Sequence, residues 1–361
     1  MSTGRRTRRT ATLASLAAEL GVSRTTVSNA YNRPDQLSPQ LRARVLDTAK
    51  RLGYPGPDPL ARSLRTRRAG AVGLLFTETL SYAFRDPAAV TFLEGLALAC
   101  EDARTGLLLV PAVEGSGTDA AVVARAAVDG FVAYSMPAGN PFLQTVLERP
   151  VPTVIVDEPA GLPGVDFVGV DDRAGMAAVG RHLAELGHRR VGVVTSGLSP
   201  DGYSGQADLA RQQAAAYHVV RNRLEGLAEG LATGGVDWKT VPVQEVPANA
   251  MQLGRQGAHA LLESFPELTA VVAMSDIVAL GVLEAVAERG RSVPGDVSVT
   301  GFDDVNAARE AGLTTVRQPL LDKGRIAGEL LLDTGERPAP RIRILSAELV
   351  VRNSTGPVPK S

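Results

Sequence analysis

Thr12-Leu-Ala-Ser-Leu-Ala-Ala-Glu-Leu-Gly-Val-Ser-Arg-Thr-Thr-Val-Ser-Asn-Ala-Tyr-Asn32 decides how this chain is read. Thr12 is a good helix N-cap, and Leu13, Leu16, Ala17 and Leu20 recur at the spacing that places them on one helical face. Gly21 supplies a turn, since glycine takes positive φ at no steric cost. Ser23 caps a second helix in which Val27 and Ala30 point inward and Arg24, Thr25, Ser28 and Asn29 stay open. Two short helices meeting at a turn, the second presenting hydrogen-bonding side chains, form a helix-turn-helix. That arrangement suits the base edges of a DNA major groove.

Working outward, Ser38-Pro39 is a cap followed by proline at the first helical position, and Leu41, Val45, Ala49 and Leu52 then share one face up to Gly53. Pro55-Gly-Pro57 breaks the chain. Asp58-Pro59 repeats the cap-plus-proline signature before Leu60–Arg68, a helix too short to be stable alone in water. Residues 1–68 carry fourteen Arg and Lys against four Asp and Glu, while the remainder carries 24 against 35. A basic head on an acidic body is the footprint of a polyanion-binding module attached to something else.

From Ala71 the texture changes. Apolar runs at Val72–Phe76, Leu107–Val110, Gly130–Ala133 and Thr153–Val156 alternate with helical stretches such as Phe92–Ala103. A second series follows, with runs at Phe167–Val170, Arg190–Val194, Val241–Val246, Ala270–Ala273 and Val297–Thr300 between helices at 174–186, 221–231, 254–264 and 279–288. This pattern predicts two doubly wound parallel-sheet subdomains joined near Pro159–Pro163. Ligands of open α/β sheets bind at the carboxyl ends of strands, here the cleft between the two sheets.

The 361 residues suit two or three domains. One cysteine, Cys100, excludes an internal disulfide and reads as a buried small side chain. His182, His188, His218 and His259 lack metal-ligand spacing, so neither metal nor cofactor is expected. No apolar run approaches the ~20 residues of a bilayer helix, and no apolar segment follows the N-terminal arginines, so the expectation is a cytoplasmic protein without a membrane partner.

Residues 12–68 resemble the head of the LacI/GalR family of bacterial transcription regulators, and the resemblance runs to about residue 353. Its pieces are Val22–Asn32, Leu60-Ala-Arg-Ser-Leu64, Asp171-Asp-Arg-Ala-Gly175, His182–Arg190, Arg223-Leu-Glu-Gly226, Ser275–Gly281, Val293–Asp304 and Thr314–Pro319. The resemblance implies a helix-turn-helix head with a hinge helix, and a body resembling the periplasmic binding proteins. It implies base readout by Arg24, Thr25 and Asn29, and phosphate positioning by Ser23, Thr26, Ser28 and Asn32. Leu64, flanked by Arg62 and Arg65, matches the leucine that this family wedges into the minor groove. In the body, Asp157, Arg223 and Asp303 match positions that commonly hold the effector, with Asn249, Ser275, Tyr82 and Phe84 as weaker candidates. Carboxylates and a guanidinium suit hydroxyls or a small polar ring. Asp303 reads equally as a turn residue, and Tyr82 and Phe84 equally as core.

Asp171-Asp172 is expected to cap the helix after it. The stretch from Thr195 to Tyr217 exceeds the family's usual length; it either lids the cleft or stands as a loose insertion. The expected organisation is a head at 1–56, a hinge at 57–69, a body at 70–353 and a tail at 354–361. Within the body, the N-subdomain takes about 70–160 and 305–320, and the C-subdomain takes about 163–303 and 321–353, the latter with a strand-like Ile342–Val351. An enzyme is disfavoured, because no His-Glu-x-x-His, Gly-x-Ser-x-Gly or phosphate-cradling loop with Lys occurs. The expected partners are double-stranded operator DNA, a small polar effector such as a sugar, and a second copy of the chain. No heptad leucines extend the C-terminus, which predicts a homodimer rather than a tetramer.

Overall fold

The computed structural model describes residues 11–56, 68–76, 84–112, 120–335 and 339–358. The chain divides into two units, Met1–Ala69 and Gly70–Ser361. The first unit holds α1 (Leu13–Leu20), α2 (Arg24–Asn32) and α3 (Pro39–Leu52). Thr12 and Ser15 cap α1 reciprocally, each side chain meeting the other's backbone amide. Gly21 and Gly53 close α1 and α3 in the left-handed conformation, at φ 67° and 68°. Leu16, Ala17, Val27, Ala30, Val45 and Ala49 form the core of this small bundle. The predicted hinge helix, with Arg62, Leu64 and Arg65, lies outside the described residues apart from Arg68.

In the second unit the described elements run in the following order. They are β1 (Ala71–Phe76), α4 (Pro87–Asp102), β2 (Gly106–Pro111), α5 (Ala121–Arg125), β3 (Gly130–Tyr134), α6 (Pro141–Leu147), β4 (Thr153–Val156) and β5 (Asp166–Val170). Next come α7 (Asp172–Glu185), β6 (Val191–Ser196), β7 (Gly205–Gln206), α8 (Leu209–Gln213), α9 (His218–Ala232), β8 (Val243–Val246), α10 (Met251–Ser264), β9 (Ala270–Ala273) and α11 (Asp276–Glu288). The last are β10 (Ser298–Asp303), α12 (Asn306–Glu310), β11 (Thr314–Arg317), α13 (Leu320–Leu332), β12 (Ile342–Leu345) and β13 (Glu348–Val350). Among the described residues they build two sheets, ordered β12-β5-β4-β3-β1-β2 and β13-β11-β10-β9-β6-β8-β7. Every pairing in the first sheet is parallel, and the second carries antiparallel β13 and β7 at its edges. Central strands such as AVVA at Ala270–Ala273 are buried throughout, as a parallel sheet covered on both faces requires. Cys100 is buried, as expected. None of the helices is long and apolar enough to cross a membrane, among the described residues.

Four of the sequence expectations need correction. The subdomains exchange their late segments: β11 pairs with β10, so 306–317 belongs to the C-lobe. Helix α13 packs on α4 and the first sheet, and β12 pairs with β5, so 320–345 belongs to the N-lobe. The chain therefore crosses between lobes at 170–172, 317–320 and 345–348, not near Pro159–Pro163, because β5 continues the first sheet beside β4. The strand-like 342–351 is two strands in different sheets. Finally, 354–358, expected as a tail outside the body, packs into the C-lobe. Ser354 is buried, its Oγ donating to the Val299 carbonyl at 2.6 Å and accepting from the Thr314 amide at 2.7 Å, and Val358 N–H donates to Leu186 O.

Helix pairs cover each sheet at glycine crossings. A Cβ at Gly226 of α9 would stand 2.1 Å from the Arg173 carbonyl oxygen of α7, so α7 and α9 touch backbone to backbone there.

Candidate functional site

On the head, α2 carries Val27 and Ala30 inward and leaves Arg24 and Thr25 exposed. Ser23 Oγ accepts the Thr26 amide at 3.0 Å and shares a 2.9 Å hydrogen bond with Thr26 Oγ1, so both hydroxyls already serve the cap. Asn29 Nδ2 donates to Gln36 Oε1 at 3.1 Å. Asn32 Nδ2 is turned inward onto Ser28, at 3.0 Å from its carbonyl oxygen and 3.1 Å from its hydroxyl. Of the seven residues expected to contact DNA, Ser23, Arg24 and Thr25 are exposed, and Thr26, Ser28, Asn29 and Asn32 are half-buried.

In the body, Asp157, Arg223, Asn249, Ser275 and Asp303 line a single cavity of about 410 Å³ between the lobes. Strand ends put them there: Asp157 follows β4, Asp303 ends β10 and Ser275 caps α11 after β9. Asp157 and Asp303 sit at φ 65° and 124°, which turns their carboxyls out of the strand direction toward the cleft. Phe84 does not join them: it is 65% exposed, on the turn before α4, and among the described residues the aromatics that line the cavity are Phe76, Tyr134 and Tyr217. Tyr82 lies outside the described residues.

Among the described residues, the one arginine that lines the cavity is already committed. Arg223 Nε donates to Asp172 Oδ1 at 2.7 Å and NH1 to the Met274 carbonyl at 2.6 Å, with the guanidinium 3.7 Å from the Phe302 ring centroid. Asp172 was expected to help cap α7. Asp171 does that alone, accepting the Ala174 amide, and Asp172 turns to Arg223. Burial pushes Asp172 up from the usual carboxylate range and Arg223 draws it back.

Beneath the cavity runs a relay absent from the sequence reading. Lys323 Nζ, 1% exposed, donates to Asp157 Oδ2 at 2.7 Å and Gln318 Oε1 at 2.8 Å, and Gln318 Nε2 donates to Asp303 Oδ1 at 2.6 Å. Burial holds Asp303 well above the usual carboxylate range, against the pull of Arg223. Gln318 belongs to the quoted Thr314–Pro319 stretch, but Lys323 carries no local signal: only the fold brings α13 under β4. Across the mouth, Ser275 Oγ donates to Asn249 Oδ1 at 2.5 Å and Asn249 Nδ2 to Asp86 Oδ2 of the N-lobe at 3.4 Å. Asp86 also caps α4, and its cap-plus-proline signature, the same as at Ser38-Pro39, could have drawn attention to it.

The long stretch 195–217 is ordered. Its strand β7 joins the edge at β8, and Arg211 ties Asp201 to the buried Glu245, whose Oε1 also accepts the Leu198 amide at 2.7 Å. Ser196, Gly197, Ser199, Pro200, Gly202 and Tyr217 line the cavity, so the stretch forms its wall.

A helix-turn-helix head and a two-lobed body with a polar cleft at the strand ends define a transcription regulator built on a periplasmic-binding-protein-like body. Residues 181–355 match the periplasmic binding protein-like domain family. An HTH-type transcriptional regulator of Mycolicibacterium smegmatis is 47% identical over 360 residues, covering 97% of each chain. The crystal structure of a LacI-family transcriptional regulator from Corynebacterium glutamicum superposes with a TM-score of 0.73 at 39% identity, covering 98% of this chain and 100% of that one. A complex of the regulator CelR with cellobiose superposes at 0.68 and 30% identity, covering 95% and 99%. The chain belongs to the LacI/GalR family of transcription regulators, which are not enzymes.

Proposed function

We propose that this regulator is a repressor that binds a near-palindromic operator as a homodimer and answers to a small, uncharged, hydroxyl-rich molecule, a sugar or sugar derivative, held between its lobes. The observation that carries the effector class is the donor and acceptor balance of the cleft. Asp86, Asp157, Glu158 and Asp303 line it, while Arg223 and Lys323 are tied to carboxylates of their own. Such a site offers polar oxygens to hydroxyls, and among the described residues that line it no uncommitted cation stands ready for a phosphate. The apolar wall of Phe76, Ala88, Ala89 and Tyr134 suits the carbon face of a ring. The sugar in the CelR complex agrees with this reading.

In the head, Arg24, Thr25 and Asn29 read bases, and Ser23, Thr26, Ser28 and Asn32 fix register on phosphates. Leu64, with Arg62 and Arg65, wedges the minor groove at the operator centre. Effector binding favours one lobe arrangement, and DNA affinity follows by linkage. The test is a fluorescence titration of full-length protein on DNA from its own promoter region, repeated with cellobiose, ribose and their phosphorylated counterparts. Unchanged specific binding by both Asn29→Ala and Leu64→Ala would sink the head mechanism, and a response to phosphorylated sugars alone would sink the effector class. Sedimentation at micromolar concentration is expected to show a dimer.

A further inference from the structure

Glu158 and His218 approach each other across the cleft from opposite lobes. Glu158 follows β4 of the N-lobe, is 2% exposed, and its Oε2 lies 3.3 Å from His218 Nδ1 at the start of α9 in the C-lobe. The same carboxyl accepts the Val219 amide at 3.5 Å, also from the C-lobe, and the Ser135 hydroxyl at 3.3 Å from its own. We propose that Glu158 and His218 form a self-neutralising latch: as the lobes shut, the proton on His218 Nδ1 passes to Glu158 Oε2, and the pair is buried without charge. The N–H bond breaks, an O–H bond forms, and no proton is exchanged with solvent. This rests on the two-lobed reading of the body and not on which effector binds.

The surroundings favour the neutral pair. Glu158 is raised to about 7, first by burial, with the Asp157 carboxylate adding to it against hydrogen bonds from Val219 and Ser135. His218 is lowered, first by burial and then by Arg221 on α9, against Asp172 and Asp157. The remaining charges nearby are compensated: Asp172 by Arg223 of α9, and Asp157 by Lys323 of α13. In an open cleft both groups meet water and regain ordinary values, carboxylate near 4.3 and imidazole near 6.5, which makes a charged pair between about those two values of pH. Closing therefore needs a proton for Glu158 and must shed one from His218, and the transfer supplies both at once. Removing either partner uncovers the other's demand, with opposite signs.

The experiment measures lobe separation in full-length protein by double electron–electron resonance. Spin labels sit at Glu148→Cys and Gln213→Cys in a Cys100→Ala background, with labelled chains diluted into unlabelled ones. The double variant Glu158→Gln/His218→Gln sets the baseline for every other group. Against it, the parent closed-to-open ratio is expected to stay within about twofold from pH 5 to 6.3. His218→Gln gains closure by up to about tenfold per unit of acidification, because Glu158 must then draw its proton from solvent. Glu158→Gln loses closure on acidification below 6.5. Parallel pH profiles for the two single variants, or a change of the same sign in both, overturn the latch. A second measurement needs no latch variant: the nitrogen shifts of the His218 ring in closed protein at pH 6 report a neutral imidazole if the transfer occurs, and an imidazolium if it does not.

Discussion

Arg223 is held by its own lobe before it can hold anything else: its Nε donates to the buried Asp172 at 2.7 Å while the guanidinium stacks on Phe302. Taking away one member of a buried pair leaves the other without compensation, at a typical cost of about 3–5 kcal/mol. Arg223→Met is therefore expected to lower the urea midpoint of the body steeply. Adding Asp172→Asn should restore part of the loss, because no charge is then stranded. If the single variant costs less than about 1 kcal/mol, the pair is not structural.

The head has little core to spare. Leu16 is fully buried among five other small or medium side chains, and a domain this size rarely draws more than a few kcal/mol from its core. Leu16→Ala should cost about 2–5 kcal/mol and unfold the head while the body stays intact. Hydrogen exchange checks this: amides of α1–α3 lose protection and those of β9 and β10 keep it.

Most of this architecture is written locally, and what is not depends on pairing between distant segments. The caps at Thr12, Ser23 and Ser38, the glycine stops, and the buried runs of β4 and β9 follow from periodicity and cap chemistry within about a dozen residues. Asp157, Arg223 and Asp303 could be picked out because each stands in a recognisable stretch. Which lobe received 306–317 and 320–345 could not be read that way. Short apolar runs state that a strand exists, not which edge it joins. For the same reason Lys323, Glu158 and His218 escaped notice: each matters only because of a group 60 to 166 positions away.

Gly226 offers a test of close helix approach. Its Arg-Leu-Glu-Gly stretch reads as ligand-binding at Arg223, yet the glycine itself has a packing reason, since a methyl group would meet the Arg173 carbonyl at 2.1 Å. Gly226→Ala must push α7 and α9 apart. It is expected to cost about 1–3 kcal/mol in a denaturation series despite alanine's better helix propensity. A neutral or stabilising result would mean that the crossing is looser than described.

Asn29 and Asn32 lie one turn apart on α2 but should differ in their effect on DNA. Asn29 spends its amide on the exposed Gln36, a contact easily exchanged for a base. Asn32 spends its amide on Ser28 inside the helix. Asn29→Ala is expected to weaken specific binding by about 1–3 kcal/mol while leaving non-specific binding and its salt slope unchanged. Asn32→Ala should weaken both kinds of binding modestly, through a lost phosphate contact and a loosened helix end. Equal losses of specificity for the two would reverse their assignment.

The C-terminal segment makes the C-lobe sensitive to acid. His188 is fully buried between Thr269 and the Gly356 carbonyl, at 2.9 and 3.0 Å. A carbonyl only accepts, so Nε2 carries the hydrogen; the Thr269 hydroxyl lies between Nδ1 and the Arg190 carbonyl at 3.2 Å, and in the neutral ring that burial favours it gives its one hydrogen to the nearer Nδ1. Burial holds its pKa below the ordinary value, against the pull of the Gly356 carbonyl, and burial likewise lowers His182, whose Nε2 meets Thr355 Oγ1 at 2.9 Å. A pKa lower in the folded state means that the unfolded chain binds more protons. The stabilisation is whole above about 6.5 and is lost as pH falls through the folded value, at no more than about 1.4 kcal/mol per unit for each ring. Glu158 and Asp276, both raised to about 7 by burial, act in the opposite direction, so the comparison must be between proteins that share them. His188→Gln should be less stable than the parent at pH 7.5, where the neutral ring is fully in place. The gap should narrow as pH is taken from 6.5 to 5, because only the parent then forfeits the buried imidazole. Urea unfolding at those three pH values decides it: a gap that stays constant, or widens in acid, means that His188 is not held neutral and that the 354–358 segment is secured by its hydroxyls alone.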